Sequence, residues 1–142
     1  MDPDAGQTAA DLRLAVGRLV RRTRRETTTL PPSQLAVLGR LDRDGPQTVA
    51  DLAAAERMSH QSMTRVTGAL IAAELAAPAA PHPGGDRRRK PLALTGPGAA
   101  AVHEQRTRRS THLARAIETR LSPAEHRALA AAIPLLERLA AE

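Results

Sequence analysis

Apolar residues recur at three- and four-residue steps along most of the chain, and at two-residue steps over one short segment. Leu12, Val16, Leu19 and Val20 form the stripe of a first helix, which Thr8 can cap with Asp11 three residues on, as in a capping box. Before it, Met1–Gln7 holds Asp2, Pro3, Asp4 and Gly6 and is expected to be irregular. The run Arg21-Arg22-Thr23-Arg24-Arg25 ends the helix; it reads as a solvated C-terminus that complements the helix dipole or, alternatively, as a phosphate contact. Ser33–Leu41 follows as a short helix with Leu35, Leu38 and Leu41 on one side, stopped by Asp44-Gly45-Pro46. Thr48 caps a third helix, again with an acid, Asp51, three residues later, and Val49, Leu52 and Ala53 face inward.

The next stretch organises the rest. Ser59 is a good N-cap for a helix over Ser59–Leu75. Met63, Val66, Leu70 and Ala73 share its packing face, while Gln61, Arg65, Gly68 and Ala72 lie opposite. One face is therefore apolar, and the other carries hydrogen-bonding groups beside small residues that let another surface approach. The short spacing from the third helix is that of a helix-turn-helix, the first helix bracing the second. The period then changes: Leu92 and Leu94 alternate, as in a strand with one buried face. Its partner is Leu75–Pro81, expected to be a short edge strand because Pro78 and Pro81 have no N–H to donate. Between them, behind Gly84-Gly85, stand four consecutive cations, Arg87, Arg88, Arg89 and Lys90. Like charges crowded at a hairpin tip repel one another and are expected to settle on an anionic partner. The outline is a winged helix-turn-helix, with the helix reading base edges in a major groove and the tip reaching phosphates or an adjacent minor groove.

Gly96-Pro97-Gly98 is read as a break, followed by a long helix over Ala99–Leu121 with Val102, Leu113, Ile117 and Leu121 as its apolar row. Ser122-Pro123-Ala124-Glu125 is a clean helix start, with a cap, a proline at the first position and an acid at the third. Leu129, Ile133, Leu136 and Leu139 carry the last stripe, and Pro134 should kink it.

Composition narrows the function. The 142 residues contain no cysteine, so disulfides and thiol chemistry are absent. No apolar run approaches the roughly 20 residues of a membrane span. The acidic N-terminus is unlike a signal peptide, and a cytoplasmic protein is expected. A net charge of +6 favours an anionic partner, although a GC-rich genome is the first explanation for an arginine excess in which Lys90 is the only lysine. With no Phe, Trp or Tyr, the core rests on thinner side chains, which favours pairing with a second copy and disfavours single-strand binding by aromatic stacking. His103 and His112 fall about 180° apart on their helix, and His60 and His82 have no second ligand at usable spacing, so no metal is expected. His60 reads as a surface residue or a phosphate contact. Without a nucleophile motif or a phosphate-cradling loop, neither an enzyme nor a cofactor is expected.

The segment Asp86-Arg87-Arg88-Arg89-Lys90-Pro91-Leu92-Ala93-Leu94-Thr95-Gly96-Pro97-Gly98 resembles the wing signature of the multiple-antibiotic-resistance regulator (MarR) family, Asp-x-Arg-x-x-x-Leu-x-Leu-Thr-x-x-Gly, at every fixed position. Ser62-Met63-Thr64-Arg65 is similar to the family's recognition helix, and the remaining helices occur in the family's order. Two departures stand out. Glu74 replaces the glycine that usually ends the recognition helix, and Ala76 and Pro78 replace the apolar and basic residues that often open the first wing strand. The resemblance implies a mainly α fold with a β-hairpin wing: a dimerisation helix over 8–29, a DNA-binding lobe over 30–95 and dimerisation helices over 96–142. It further implies a homodimeric repressor on a pseudo-palindromic duplex operator, with a small aromatic or phenolic effector bound between lobe and dimerisation helices. Base and phosphate contacts would come from Ser59, His60, Gln61, Ser62, Thr64 and Arg65, wing contacts from Arg87, Arg88, Arg89 and Lys90, and Asp86 would steady Arg88. The alternative is a helical interaction protein that kept the fold and lost its operator, which Glu74 and the proline-broken wing strand would favour.

Overall fold

Six helices and one two-stranded antiparallel hairpin make up the computed structural model of the chain, which describes residues 1–141. They run α1 (Ala5–Thr27), α2 (Pro32–Asp44), α3 (Val49–Glu56), α4 (His60–Ala72), β1 (Ala76–Pro78), β2 (Leu92–Leu94), α5 (Gly96–Arg120) and α6 (Pro123–Ala140). The chain divides into two units: residues 28–107, and Met1–Thr27 together with the chain from Arg108 onward.

The unit over 28–107 holds the core. Val37, Leu38, Leu52, Met63 and Leu70 are fully buried there. At about 1.5–3 kcal/mol for each side chain removed from water, these five dominate its cohesion in the absence of aromatics. On α2, Val37 joins Leu38 and Leu41 in the core, and Leu35 is only half-buried. On α4 the packing face is Met63, Thr67 and Leu70, flanked by Val66; Ala73 is exposed. Thr67 can stand in the core because its hydroxyl donates to the carbonyl of Met63 at 3.0 Å. An ion pair of Arg40 with Glu56 ties α2 to α3, and Arg106 reaches Asp42 at 2.7 Å.

Local chemistry sets the boundaries. Thr48 and Asp51 form the expected capping box at α3, and Ser122 and Glu125 form the one at α6. Helix α1 begins earlier than expected: Asp4, not Thr8, caps it, accepting from the amides of Gly6 and Gln7 at 3.3 and 3.0 Å. Helix α4 ends at Ala72, three residues short of Leu75, because Glu74 turns left-handed at φ 61. That is the conformation a glycine would supply, so the departure at Glu74 keeps the backbone and replaces only the residue. Gly96-Pro97-Gly98 is not a break but the first turn of α5. Thr95 caps it, its hydroxyl accepting from the Gly98 amide at 3.0 Å. Proline at the second helical position forfeits only an amide that has no intrahelical partner.

The wing strands are three residues each, paired Ala76↔Leu94, Ala77↔Ala93 and Pro78↔Leu92. The first is shorter than Leu75–Pro81, and it is regular. Pro78 is tolerated because Leu92, opposite it, turns both its N–H and its C=O the other way, to Gln47 at 2.7 and 2.9 Å. No donor is required of Pro78 at that pair.

The other unit contains α1, the second half of α5, and α6. In it His112 Nε2 lies 3.0 Å from Glu26, which also pairs with Arg22 at 3.2 Å. Arg109, partly buried beside Arg24, has its pKa lowered, first by burial and then by that neighbour's charge. None of the residues of α6 is buried, and Pro134 lies within the continuous helix.

Candidate nucleic-acid interface

Helix α4 presents its polar face to solvent: Ser59, His60, Gln61, Ser62, Thr64, Arg65 and Gly68 are all exposed. Their hydrogen-bonding capacity differs. Ser59 is committed to the helix, its hydroxyl accepting from the Ser62 amide at 3.0 Å and donating to the Ser62 hydroxyl at 2.9 Å. Thr64 spends its hydrogen on the carbonyl of His60 at 2.8 Å and offers outward only an acceptor. Gln61 and Arg65, one turn apart, are exposed and form no ion pair or side-chain hydrogen bond among the described residues. These two leave their side-chain hydrogen-bonding groups uncommitted on this face.

The wing follows on the same unit. Asp86 organises its tip: Oδ1 accepts from the Arg88 amide at 2.9 Å, as in an Asx-turn, and lies 3.4 Å from Arg88 Nε. Gly84, at φ 82, supplies the left-handed turn residue. The four cations do not all look outward for an anion, as crowding alone suggested. Arg89 finds one within the chain, its Nη2 donating to both oxygens of Asp51 at 2.8 and 2.6 Å. Arg88 stays 93% exposed beside Asp86. Arg87 and Lys90 have no ion-pair partner among the described residues.

Sequence reasoning missed Asp51 as part of this region. It marked the residue only as a cap, and its pKa is held below the usual carboxylate range first by the Thr48 backbone N–H, with Arg89 adding to that against the cost of burial. A cavity of about 450 Å³ lies between α4 and the wing, lined by Thr64, Gly68, Pro78, Arg87, Arg89 and Lys90 among others. Among the described residues no cluster of histidine and carboxylate side chains could hold a metal ion, and no helix is long and apolar enough to cross a membrane.

The model of the MarR family matches residues 28–89. An uncharacterised HTH-type transcriptional regulator of Mycobacterium bovis is 37% identical over 100% of this chain and 98% of its own. The chain belongs to the MarR family. A solved Pseudomonas aeruginosa protein, described as a transcriptional regulator, superposes on this MarR chain with TM-score 0.78 at 39% identity, covering 94% of each. Bordetella bronchiseptica BpsR, whose DNA binding is regulated by 6-hydroxynicotinic acid, is similar at TM-score 0.55 and 25% identity, over 98% of this chain and 94% of that one. The MarR chain is thus a DNA-binding, non-enzymatic transcription regulator with a winged helix-turn-helix, α3 and α4 forming the helix pair and β1–β2 the wing.

Proposed function

We propose that the protein is a homodimeric repressor that binds a pseudo-palindromic duplex operator and is released by a small aromatic or phenolic ligand. The exposed face of α4 carries the reading: Gln61 and Arg65 stand one helical turn apart with free polar groups, on a helix whose other face is locked in the core by Met63, Thr67 and Leu70. Side chains on so rigid a base can discriminate between bases, Gln towards adenine and Arg towards guanine. Ser62, Thr64 and His60 add base or phosphate contacts, and Ser59 presents the helix N-terminus to a phosphate. Arg87, Arg88 and Lys90 supply wing charge, Arg88 in the minor groove.

Two apolar surfaces support the dimer. Leu14, Val16, Leu19 and Val20 are at least 40% exposed on α1, and Leu129, Ile133, Leu135 and Leu139 are at least 38% exposed on α6. Apolar side chains left in water along two helices of one unit favour cover by a partner surface. A twofold dimer would set its recognition helices about 34–36 Å apart, one turn of duplex. The effector reading is supported by the relative whose DNA binding responds to 6-hydroxynicotinic acid.

The test is competition between the DNA upstream of the protein's own coding region and random duplex, with and without added aromatic acids. Repression predicts binding to the first at least a hundredfold tighter, and loss of that preference with one of the acids. Equal affinity for both duplexes would contradict the operator reading.

A further inference from the structure

We propose that Arg89 is a positioning residue rather than a DNA contact: held by Asp51, it pins the wing to the start of α3, and the charge offered to DNA comes from Arg87, Arg88 and Lys90. The inference rests on the DNA-binding reading above and refines which wing residues serve it.

Three observations carry it. First, the acceptor is oriented by something other than Arg89. Asp51 Oδ2 accepts from the Thr48 amide at 3.2 Å as half of the α3 capping box, so the carboxylate has an anchor that does not depend on the wing. Second, Arg89 is fixed at both ends. Its amide donates to the Asp86 carbonyl at 3.1 Å inside the tip turn, while its guanidinium meets a carboxylate 38 residues away in sequence. Third, the wing is already joined to the same stretch at its base, where Leu92 exchanges two backbone hydrogen bonds with Gln47. Gln47–Leu92 and Asp51–Arg89 are thus two attachments, one at the base and one at the tip, on a hairpin whose residues 80–90 are exposed throughout. A single attachment leaves a lever free to swing; two fix its height over α4.

The pair has a diagnostic sign. If Arg89 bound a phosphate, removing the Asp51 charge would release the arginine and remove an anion near the DNA, and binding would tighten. If Arg89 positions the wing, the same change frees the wing, and binding weakens. Asp51→Asn tests this because its amide oxygen, in place of Oδ2, still accepts from the Thr48 N–H and keeps the helix capped, while the charge is lost and an NH2 replaces Oδ1 against the Arg89 guanidinium, donor against donor. The pair is partly exposed, 56% at Arg89 and 39% at Asp51, so its effect is bounded at about two- to fivefold in affinity per wing.

The experiment uses the full-length chain as wild type, Arg89→Gln, Asp51→Asn, the double variant and Lys90→Ala. Each is titrated against the upstream duplex at several salt concentrations, and amide ¹⁵N relaxation of residues 88–90 is recorded on the free protein. Arg89→Gln and Asp51→Asn should each weaken binding about two- to fivefold per wing, the double variant no further, and all three should keep the wild-type salt slope. Lys90→Ala should lower the slope by about one per lost phosphate contact. In the free protein, wing order should fall in Arg89→Gln and Asp51→Asn and hold in Lys90→Ala. Tighter binding by Asp51→Asn, or a slope lowered by Arg89→Gln as by Lys90→Ala, would overturn the proposal. If even the wild type bound no duplex, the DNA-binding reading would fail by itself, and the relaxation data would still decide the pin: unchanged wing order in Arg89→Gln would refute it.

Discussion

A side-chain carbon on Gly98 would stand 1.9 Å from the carbonyl oxygen of Leu75. The first turn of α5 therefore lies directly against the chain that leaves α4, and only a residue without Cβ fits. The obstacle is backbone on both sides, so it cannot rotate away. Gly98→Ala is expected to cost about 3 kcal/mol, near the upper end for overpacking, read from the urea midpoint at unchanged m-value. A loss below about 1 kcal/mol would show that the contact relaxes.

Thr95 and Glu74 hold the same junction. The Thr95 hydroxyl donates to the Glu74 carbonyl at 2.6 Å while accepting from the Gly98 amide. Glu74 endures φ 61 there without a side-chain partner among the described residues. Glu74→Gly should relieve the left-handed strain and stabilise the protein by about 0.5–1 kcal/mol despite the added chain freedom. Thr95→Val should lose both bonds and destabilise by about 1–3 kcal/mol. Thermal unfolding of the two variants checks the opposite signs.

Asp51 gives a pH dependence of known direction. Its carboxyl titrates below the ordinary aspartate value of 3.8, so it binds protons less readily folded than unfolded. The stability it contributes is fully present above about pH 4 and fades as pH falls through the depressed folded value. The difference in unfolding free energy between wild type and Asp51→Asn should be constant from pH 5 to 7 and shrink below pH 4. A difference that grew on acidification would contradict the capping and wing contacts assigned to this carboxylate.

Much of this fold was legible where chemistry is local. The capping boxes at Thr48 and Ser122, the glycine stop at Gly45 and the alternation at Leu92–Leu94 each declare themselves within four residues. What was hidden depends on partners distant in sequence. Nothing near Pro78 reveals that Leu92 sends its hydrogen bonds to Gln47, so the strand looked more broken than it is. Thr67 did not read as core, because a hydroxyl satisfied by its own helix carries the same letter as an exposed one. Gly96-Pro97-Gly98 carries breaker residues, yet Thr95 and the approach of Leu75 make it a helix start. Arg89 sits among like-charged neighbours, and only the folded chain shows that its guanidinium meets a carboxylate 38 residues away in sequence.

The apolar face of α6 should be covered by a second copy. Ile133 is 49% exposed in the single chain. Ile133→Asp would place a charge in that interface and should convert the dimer to monomer in light scattering at micromolar concentration, with little change in helical content. A wild-type monomer under the same conditions would contradict the assignment, and so would a dimer that tolerated the aspartate.

The most direct test of the central claim compares operator with random duplex for Gln61→Ala, Arg65→Ala and Lys90→Ala. If α4 reads bases, each helix variant narrows the gap between the two DNAs by about 1–3 kcal/mol for a bidentate contact. Lys90→Ala should weaken both DNAs alike and flatten the salt slope by about one per lost phosphate contact. The contrary result is a uniform loss in the helix variants together with a selective loss of operator preference in Lys90→Ala, which would assign sequence reading to the wing.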